Sequence, residues 1–451
     1  MRYGAPTLLV GVALALRWYW PSQPLSVVFD ETFWGRVAMM ELRHEFAFDI
    51  HPPLARLIFW FSAWLADLDP SFKYASNGLA YPNASYLALR IAPRLAGIAL
   101  PLIIYGLGLE IGLSRIAAFL AGLLVALDNA LIVVSRLAMA DIFLLAFGFG
   151  ALFLGLRAIR KSDWRLMAAA GLSAGAALSV KWTGASFLGL LLAILAVRSW
   201  RGPWLANIGR AALIILLATL IYVGCFLAEF KIATKASADN AFIDAPFQAT
   251  LTGSAPATVK GVKPLATSEK FFEINRLMAQ YAVNQHAEHA YFSKWYDWPF
   301  MMRTLDMWSD EKPPLTAHIF LLGNPAIWWL SGYAALFLLV NLAPKLLALA
   351  GGRGWTLAPT EAFLIGGYLL NMLPFIAISR GMFIYHYLPA LVFAIVSLAY
   401  LLDQSGALKR LGIALVAIAI PFGVYFAPLT YGFAQSHEAY DRMFWVQGWR
   451  N

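Results

Sequence analysis

The stretch AALIILLATLIYVGCFLA occupies residues 211–228 and contains no charged side chain. A run of about 18 or more apolar residues is typical of a transmembrane helix, because a bilayer core needs about 20 of them. Ten further apolar runs lie at 5–20, 86–111, 115–130, 138–157, 166–181, 184–199, 325–343, 360–379, 384–402 and 410–428. We therefore predict an all-α integral membrane protein with about eleven transmembrane helices.

The composition of the 451-residue chain agrees with a membrane protein. Hydrophobic residues make up 61% and charged residues 13%, whereas an ordinary soluble protein has roughly 45–50% and about 25%. The formal net charge of +9 does not require a nucleic-acid partner, and we predict none, since basic cytoplasmic loops would produce the same charge. No small-residue cleavage site follows the first apolar run, so we predict that it is an uncleaved span.

Basic residues orient the predicted spans. With a cytoplasmic N-terminus, the short cytoplasmic loops carry Arg115, Arg157, Arg160, Lys161, Arg165, Arg198, Arg201, Arg210, Lys345, Arg353, Lys409 and Arg410. This distribution follows the positive-inside rule. An odd number of spans then places the C-terminus on the extracytoplasmic side, and we expect a multi-pass protein of the plasma membrane.

We predict that residues 1–451 form a single domain. Two longer loops lie on its extracytoplasmic side. The first loop, residues 21–85, has apolar residues at helical spacing from Leu54 to Leu68, which is typical of a helix at the membrane interface. The second, residues 229–320, joins spans seven and eight. No glycine-rich phosphate loop of the Walker type occurs. An enzyme with its site on this side, away from cytoplasmic nucleotides, needs a lipid-linked donor.

Phe29-Asp30-Glu31 places two carboxylates just after the first predicted span. Carboxylates beside a bilayer are costly unless they are paired or used. One interpretation is an interfacial pair neutralised by Arg36 or Arg43. In the other, Asp30 is a catalytic general base that removes the proton of an acceptor hydroxyl, and Glu31 orients the acceptor or the base.

A proline corner, Asp49-Ile50-His51-Pro52-Pro53, follows in the same loop. The two prolines predict a rigid turn that opens the next helix. This turn can aim Asp49 and His51 at the first carboxylates, where they would contact the acceptor or shape the site. No second histidine stands at a metal-ligand spacing, so we predict no metal site and no required cofactor, with a divalent cation as an open alternative.

A second group of polar residues flanks later spans. Asp128, Arg136 and Asp141 bracket the next extracytoplasmic turn. Either Arg136 and Asp141 form a structural bridge, or Arg136 binds a phosphate while the two aspartates shape the site. The other cationic candidates on this side are Lys181, Arg380 and His386. Together with Arg136, they would stabilise a polyprenyl-phosphate leaving group.

These motifs, in this order, resemble the protein O-mannosyltransferases. The resemblance includes Phe29–Glu31, Asp49–Leu54, Arg90 with Pro93, Leu127–Asn129, Ser135-Arg136 with Asp141, Val180–Gly184, Gly323–Pro325, Phe383–Pro389 and Pro428–Gly432. It implies a C-type glycosyltransferase (GT-C) fold, with Asp30 as the base. It also implies inverting transfer of mannose from a polyprenyl-phosphate donor to Ser or Thr hydroxyls of proteins, without a required metal. Residues 229–320 are too short for the β-trefoil domain of eukaryotic members, so a bacterial or archaeal form is expected.

Two other functions stay open from the sequence. A related transferase would use the same donor with a lipid or glycan acceptor. A lipid flippase or transporter would instead carry polar residues at mid-bilayer depth along several broken spans. In this sequence the acidic and basic candidate residues gather near the extracytoplasmic ends of the predicted spans, which favours an enzyme.

Overall fold

The computed structural model describes residues 4–240, 242–258, 261–284, 289–350, 358–378 and 381–450. Most of these residues are helical. The helices of the first half are α1 (Gly4–Trp18), α2 (Glu31–Leu42), α3 (Leu54–Leu65), α4 (Leu87–Glu110), α5 (Arg115–Leu127), α6 (Asn129–Arg136), α7 (Asp141–Lys161), α8 (Trp164–Val180), α9 (Ala185–Arg201) and α10 (Trp204–Ile232).

The second half adds further helices and a small sheet. Its elements are α11 (Ala245–Gln248), α12 (Thr267–Asn284), β1 (Asp306–Lys312), β2 (Leu315–Phe320), α13 (Pro325–Ala350), α14 (Pro359–Leu370), α15 (Leu388–Gln404), α16 (Leu408–Tyr425), α17 (Ala427–Tyr431), β3 (Gln435–Ser436) and α18 (His437–Asp441).

Helix length and composition agree with a polytopic membrane protein. Eight of the described helices are long and apolar enough to cross a membrane, and the bent pair α5–α6 raises the number to nine. The shorter apolar helices α1 and α8 coincide with the other two predicted spans. Every predicted apolar run therefore falls on a helix, while the total of eleven spans and their orientation stay predictions.

Small residues bring these helices close together. Gly175 of α8 faces the backbone of α10, where an added Cβ would lie 2.7 Å from the Cα of Ala218. Gly148 of α7 faces the ring of Phe187 in α9 in the same way. Helix association in lipid depends on such close packing, because lipid tails are as apolar as the helices. As a result α7, α8, α9 and α10 form one packed group, and α15 lies buried among α5, α13 and α14.

Helices α5 and α6 meet at a bend of 59°, and Asp128 lies at that bend. Its Oδ1 accepts a hydrogen bond from Leu131 N at 3.0 Å and caps α6. Its Oδ2 accepts one from Asn324 N, also at 3.0 Å, just ahead of α13. Because Asp128 is fully buried, both backbone donors would be unsatisfied without it. The carboxylate thus joins the two halves of the helical region.

The two loops agree only in part with the sequence prediction. The helix expected after the proline corner is present as α3, with Phe61, Trp64 and Leu65 exposed. In region 229–320, β1 pairs antiparallel with β2, and β2 also pairs antiparallel with β3 from the later part of the chain. The all-α prediction missed this three-stranded sheet, because its strands are short and β1 is mostly polar.

Asp128→Ala is expected to lower the free energy of unfolding by about 1–3 kcal/mol, because two buried N–H donors lose their acceptor. Thermal unfolding in detergent measures this loss. Asp163→Ala is the matched control, since Asp163 caps α8 through Arg165 N and Leu166 N at a more accessible position. Loss of an ordinary cap costs about 1 kcal/mol. Equal losses in the two variants would contradict the linking role of Asp128.

Candidate active site

Asp30 lies at the N-terminal end of α2, and its side chain is half-buried. No described residue gives its carboxylate an ion pair or a side-chain hydrogen bond. Burial raises the pKa of Asp30 to about 7; the charge of Asp141 acts in the same direction, and the charge of Lys181 opposes it. Asp30 can therefore exchange a proton near neutral pH, as a general base must.

The adjacent carboxylate, Glu31, is buried and fully occupied. Its Oε1 accepts from Arg90 Nε and its Oε2 from Arg90 Nη2, each at 2.7 Å. Its three further donors are Tyr81 Oη, Val28 N and Ala138 N. Burial alone would raise the pKa of Glu31, but Arg90 and the hydrogen bonds outweigh it and hold the pKa below its usual range. Glu31 is thus an ionised carboxylate that fixes the start of α2 beside Asp30.

The arginines expected to neutralise this acidic pair bind elsewhere. Arg36 forms an ion pair with Asp239, and Arg43 forms one with Glu45. Arg90 of α4 takes their place, and the sequence prediction does not assign it that role. The sequence does carry a signal for this pairing, since Arg90 is a charged residue inside an apolar span and such a residue needs a partner.

Lys181 and Asp141 form a buried ion pair, with 2.7 Å between Nζ and Oδ1. Asp141 is therefore paired with the residue that follows α8, and the alternative of an Arg136–Asp141 bridge is wrong. Lys181 Nζ also lies 4.8 Å from the centre of the Tyr385 ring. The charges of both members act on Asp30, so the pair lies within electrostatic range of the candidate base.

Arg136 is buried and its guanidinium donates to carbonyl groups. Nη1 donates to Thr430 O at 3.2 Å, and Nη2 donates to Tyr19 O and Trp20 O at 3.3 and 3.0 Å. The guanidinium carbon lies 4.4 Å from the centre of the Tyr431 ring. These contacts hold α6 against the ends of α1 and α17. Phosphate binding by Arg136 stays a prediction, and the contacts favour a structural role.

Asp49 is buried in the proline corner, where His51 is half-buried. Asp49 accepts hydrogen bonds from the backbone of Ile50 and His51. Burial raises the pKa of Asp49 to about 6, although the charge of Arg56 lowers it. The charges of Asp49 and Asp30 also act on each other. Asp49 therefore lies within electrostatic range of the candidate base, and its role toward the acceptor stays a prediction.

Asp30, Asp49, Asp141 and Lys181 thus form one group of three carboxylates and one ammonium. Within the described ranges, no set of three or more His, Cys, Asp or Glu side chains could hold a metal ion. The chemistry available is that of a weakly acidic carboxyl group next to a cation. Such a pair can accept a proton on one side and stabilise an anion on the other.

The remaining candidates lie in different settings. Asp128 is occupied by two backbone donors at the α5–α6 bend. His386 is half-buried, its Nδ1 lies 2.9 Å from Phe383 O, and its ring stacks on Trp298 at 6.0 Å. Arg380 lies outside the described residues.

Aromatic contacts connect Asp30 to Lys181. Phe29, next to Asp30 in the chain, packs on Phe383 with ring centres 5.6 Å apart. Phe383 contacts Tyr385 at 5.4 Å, and Tyr385 lies against Lys181. The exposed ring of His289 packs on both Phe29 and Phe383. These rings form one wall of the candidate site.

Solved structures identify the fold. The Saccharomyces cerevisiae protein O-mannosyltransferase Pmt1-Pmt2 complex bound to the sugar donor matches with a TM-score of 0.89 and 16% identity, over 99% of this chain and 92% of that chain. ArnT from Cupriavidus metallidurans, bound to undecaprenyl phosphate, matches with a TM-score of 0.53 and 14% identity, over 92% and 64% of the two chains. The fold is that of the GT-C membrane glycosyltransferases.

Family models narrow this class. Residues 7–234 match dolichyl-phosphate-mannose-protein mannosyltransferase, and residues 267–449 match the C-terminal four TMM region of protein-O-mannosyltransferase. The chain belongs to the protein O-mannosyltransferase family. Protein O-mannosyltransferase 1 of Drosophila melanogaster is 31% identical over 271 residues, which are 56% of this chain and 30% of the fly protein. The matches span less than half the length of the curated relatives.

Arg90→Gln is expected to lower the free energy of unfolding by about 3–5 kcal/mol, because Glu31 would stay buried without its cation. The double variant Glu31→Gln/Arg90→Gln removes both charges and should recover part of this loss. A double-mutant cycle by thermal unfolding in detergent measures the coupling. Simple addition of the two single losses would contradict a direct ion pair.

Proposed function

We propose that the protein transfers mannose from a polyprenyl-phosphate-linked donor to serine or threonine hydroxyls of proteins, with inversion and with Asp30 as general base. Membership of the protein O-mannosyltransferase family supports the reaction class. One observation carries the choice of base: Asp30 is half-buried and has no described ion-pair partner, while Glu31 and Asp141 are each occupied by a cation.

In the proposed reaction, ionised Asp30 accepts the hydroxyl proton while the acceptor oxygen forms a bond to the anomeric carbon. The bond from that carbon to the phosphate oxygen breaks at the same time. Attack from the face opposite the phosphate inverts the anomeric carbon. Glu31 does not take part in proton transfer, because its ion pair with Arg90 keeps it ionised and holds the start of α2 in place.

Lys181 is the proposed partner of the leaving phosphate, whose negative charge grows as the bond breaks. An ammonium has three N–H donors, and the hydrogen bond to Asp141 uses one of them. His386 is a second proposed contact, since it adjoins Tyr385, whose ring Lys181 touches. We retain Arg380 as a third candidate from the sequence and assign Arg136 a structural role.

The proposed acceptor approaches from the extracytoplasmic side of a plasma membrane, past Asp49 and His51. The basic residues of the opposite loops support this orientation. We further propose that the chain acts as one domain of the bacterial or archaeal form, with a donor lipid of the undecaprenyl, decaprenyl or dolichyl class.

Asp30→Asn is expected to abolish transfer of mannose from a prenyl-phosphate donor to a Ser/Thr peptide, because an amide cannot accept the hydroxyl proton. Mass spectrometry of the peptide after incubation with purified protein measures transfer. Asp69→Asn is the matched control, since Asp69 is an exposed aspartate of the same loop that contacts Ser71. Turnover at the wild-type rate in Asp30→Asn would refute the base. Transfer by the wild type to a lipid or glycan, with none to peptide, would refute the protein acceptor.

The kcat/KM of the wild type is expected to fall as the pH drops through about 7, the pKa of Asp30, because the protonated acid cannot act as a base. Below this pH the decline should approach about tenfold per unit. Glu31 adds no titration here, since its pKa lies below the usual range. A rate profile recorded between about pH 5.5 and pH 8 measures the decline. A flat profile would contradict the assignment.

A further inference from the structure

Arg56, in the first turn of α3, forms a second buried cluster, which shares Asp49 with the candidate site. Its side chain is 1% exposed. Nη1 donates to Ala47 O at 2.5 Å, and Nη2 lies 2.5 Å from Glu229 Oε1 in α10. Its Nε lies 4.0 Å from Glu41 Oε1 in α2. One guanidinium therefore contacts α2, the segment just before the proline corner, and α10.

The cluster contains more carboxylates than arginines. Glu41 and Glu229 are both buried, and apart from the ion-pair contacts with Arg56 none of their four carboxylate oxygens has a hydrogen-bond partner among the described residues. Asp49 Oδ2 is also buried and has no hydrogen-bond partner among the described residues. The charge of Arg56 acts on all three acids, and Lys270 of α12 acts on Glu229. Arg56 is thus the main cation that offsets the cost of burying these acids.

The cluster reaches the candidate site through the proline corner. Ala47, whose carbonyl Arg56 binds, stands two residues before Asp49. Its neighbour Phe46 donates a backbone hydrogen bond to Lys235 O, just beyond α10. Asp49 in turn interacts electrostatically with Asp30 and Lys181. Arg56 therefore holds the segment that carries Asp49, because the carbonyl it binds lies two residues before that carboxylate.

We propose that Arg56 is a positioning residue for the transfer reaction, which holds the proline corner against α10 so that Asp49 faces Asp30 and Lys181. This inference rests on the proposed function. A merely structural Arg56 would stabilise the protein without changing the turnover of folded molecules. A positioning Arg56 changes kcat even where stability is restored.

The test compares Arg56→Gln with Arg56→Gln/Glu229→Gln in the full-length protein. Both should lower kcat by about 100-fold, the cost expected when a reacting group is displaced by about 1 Å. The double variant should regain part of the lost thermal stability, since Glu229 no longer carries an unpaired buried charge, but it should not regain kcat. Arg56→Lys keeps the charge and should retain more of kcat than Arg56→Gln. The measurements are kcat, KM and thermal unfolding in detergent.

Glu110→Gln is the matched control, because Glu110 is a buried carboxylate paired with Arg157 and Arg160. It lies twenty residues along α4 from Arg90, which is about 30 Å at 1.5 Å per residue. It should lose stability and keep kcat. Recovery of kcat together with stability in the Arg56 double variant would overturn the positioning role. Absence of transfer by the wild-type protein would instead refute the proposed function, and the positioning role with it.

Discussion

The ion pair between Glu31 and Arg90 is the interaction on which the candidate site depends. Glu31 binds Arg90 of α4, Tyr81 of the first loop and Ala138 between α6 and α7. Successive helical residues point about 100° apart, since a helix has 3.6 residues per turn. One residue at the start of α2 can thus be tied into the bundle while its neighbour Asp30 faces another way. Because Glu31 takes Arg90 as its partner, that cation does not pair with Asp30.

Buried arginines in this protein are stabilised in two ways. Arg90 and Arg56 pair with carboxylates, whereas Arg17 and Arg136 donate to carbonyls at helix ends. Arg17 binds the carbonyl of Ala126 near the end of α5, and Arg136 binds those just after α1. The C-terminal end of a helix carries a partial negative charge that favours such cations. A cation near an active site therefore need not be a phosphate ligand.

The sequence predicts the helices well because apolar runs report directly on membrane burial. It also nominates Asp30, Asp49, Asp141 and Lys181, since each is a charge that a membrane penalises. It cannot show that Asp141 pairs with Lys181, because that choice depends on which helices become neighbours. The role of Arg90 as partner of Glu31 depends on the same long-range contacts. The hairpin of β1 and β2 was missed because its polar, short strands carry little hydrophobic periodicity.

The hydrogen bond from Asn324 N to Asp128 has a consequence for biogenesis, since its partners are 196 residues apart. At about 5–20 residues per second, a ribosome needs roughly 10–40 s to synthesise the intervening chain. During that interval the kink between α5 and α6 has only its local cap. The hydrogen bond that joins the α5–α6 bend to the start of α13 can therefore form only after Asn324 has been synthesised.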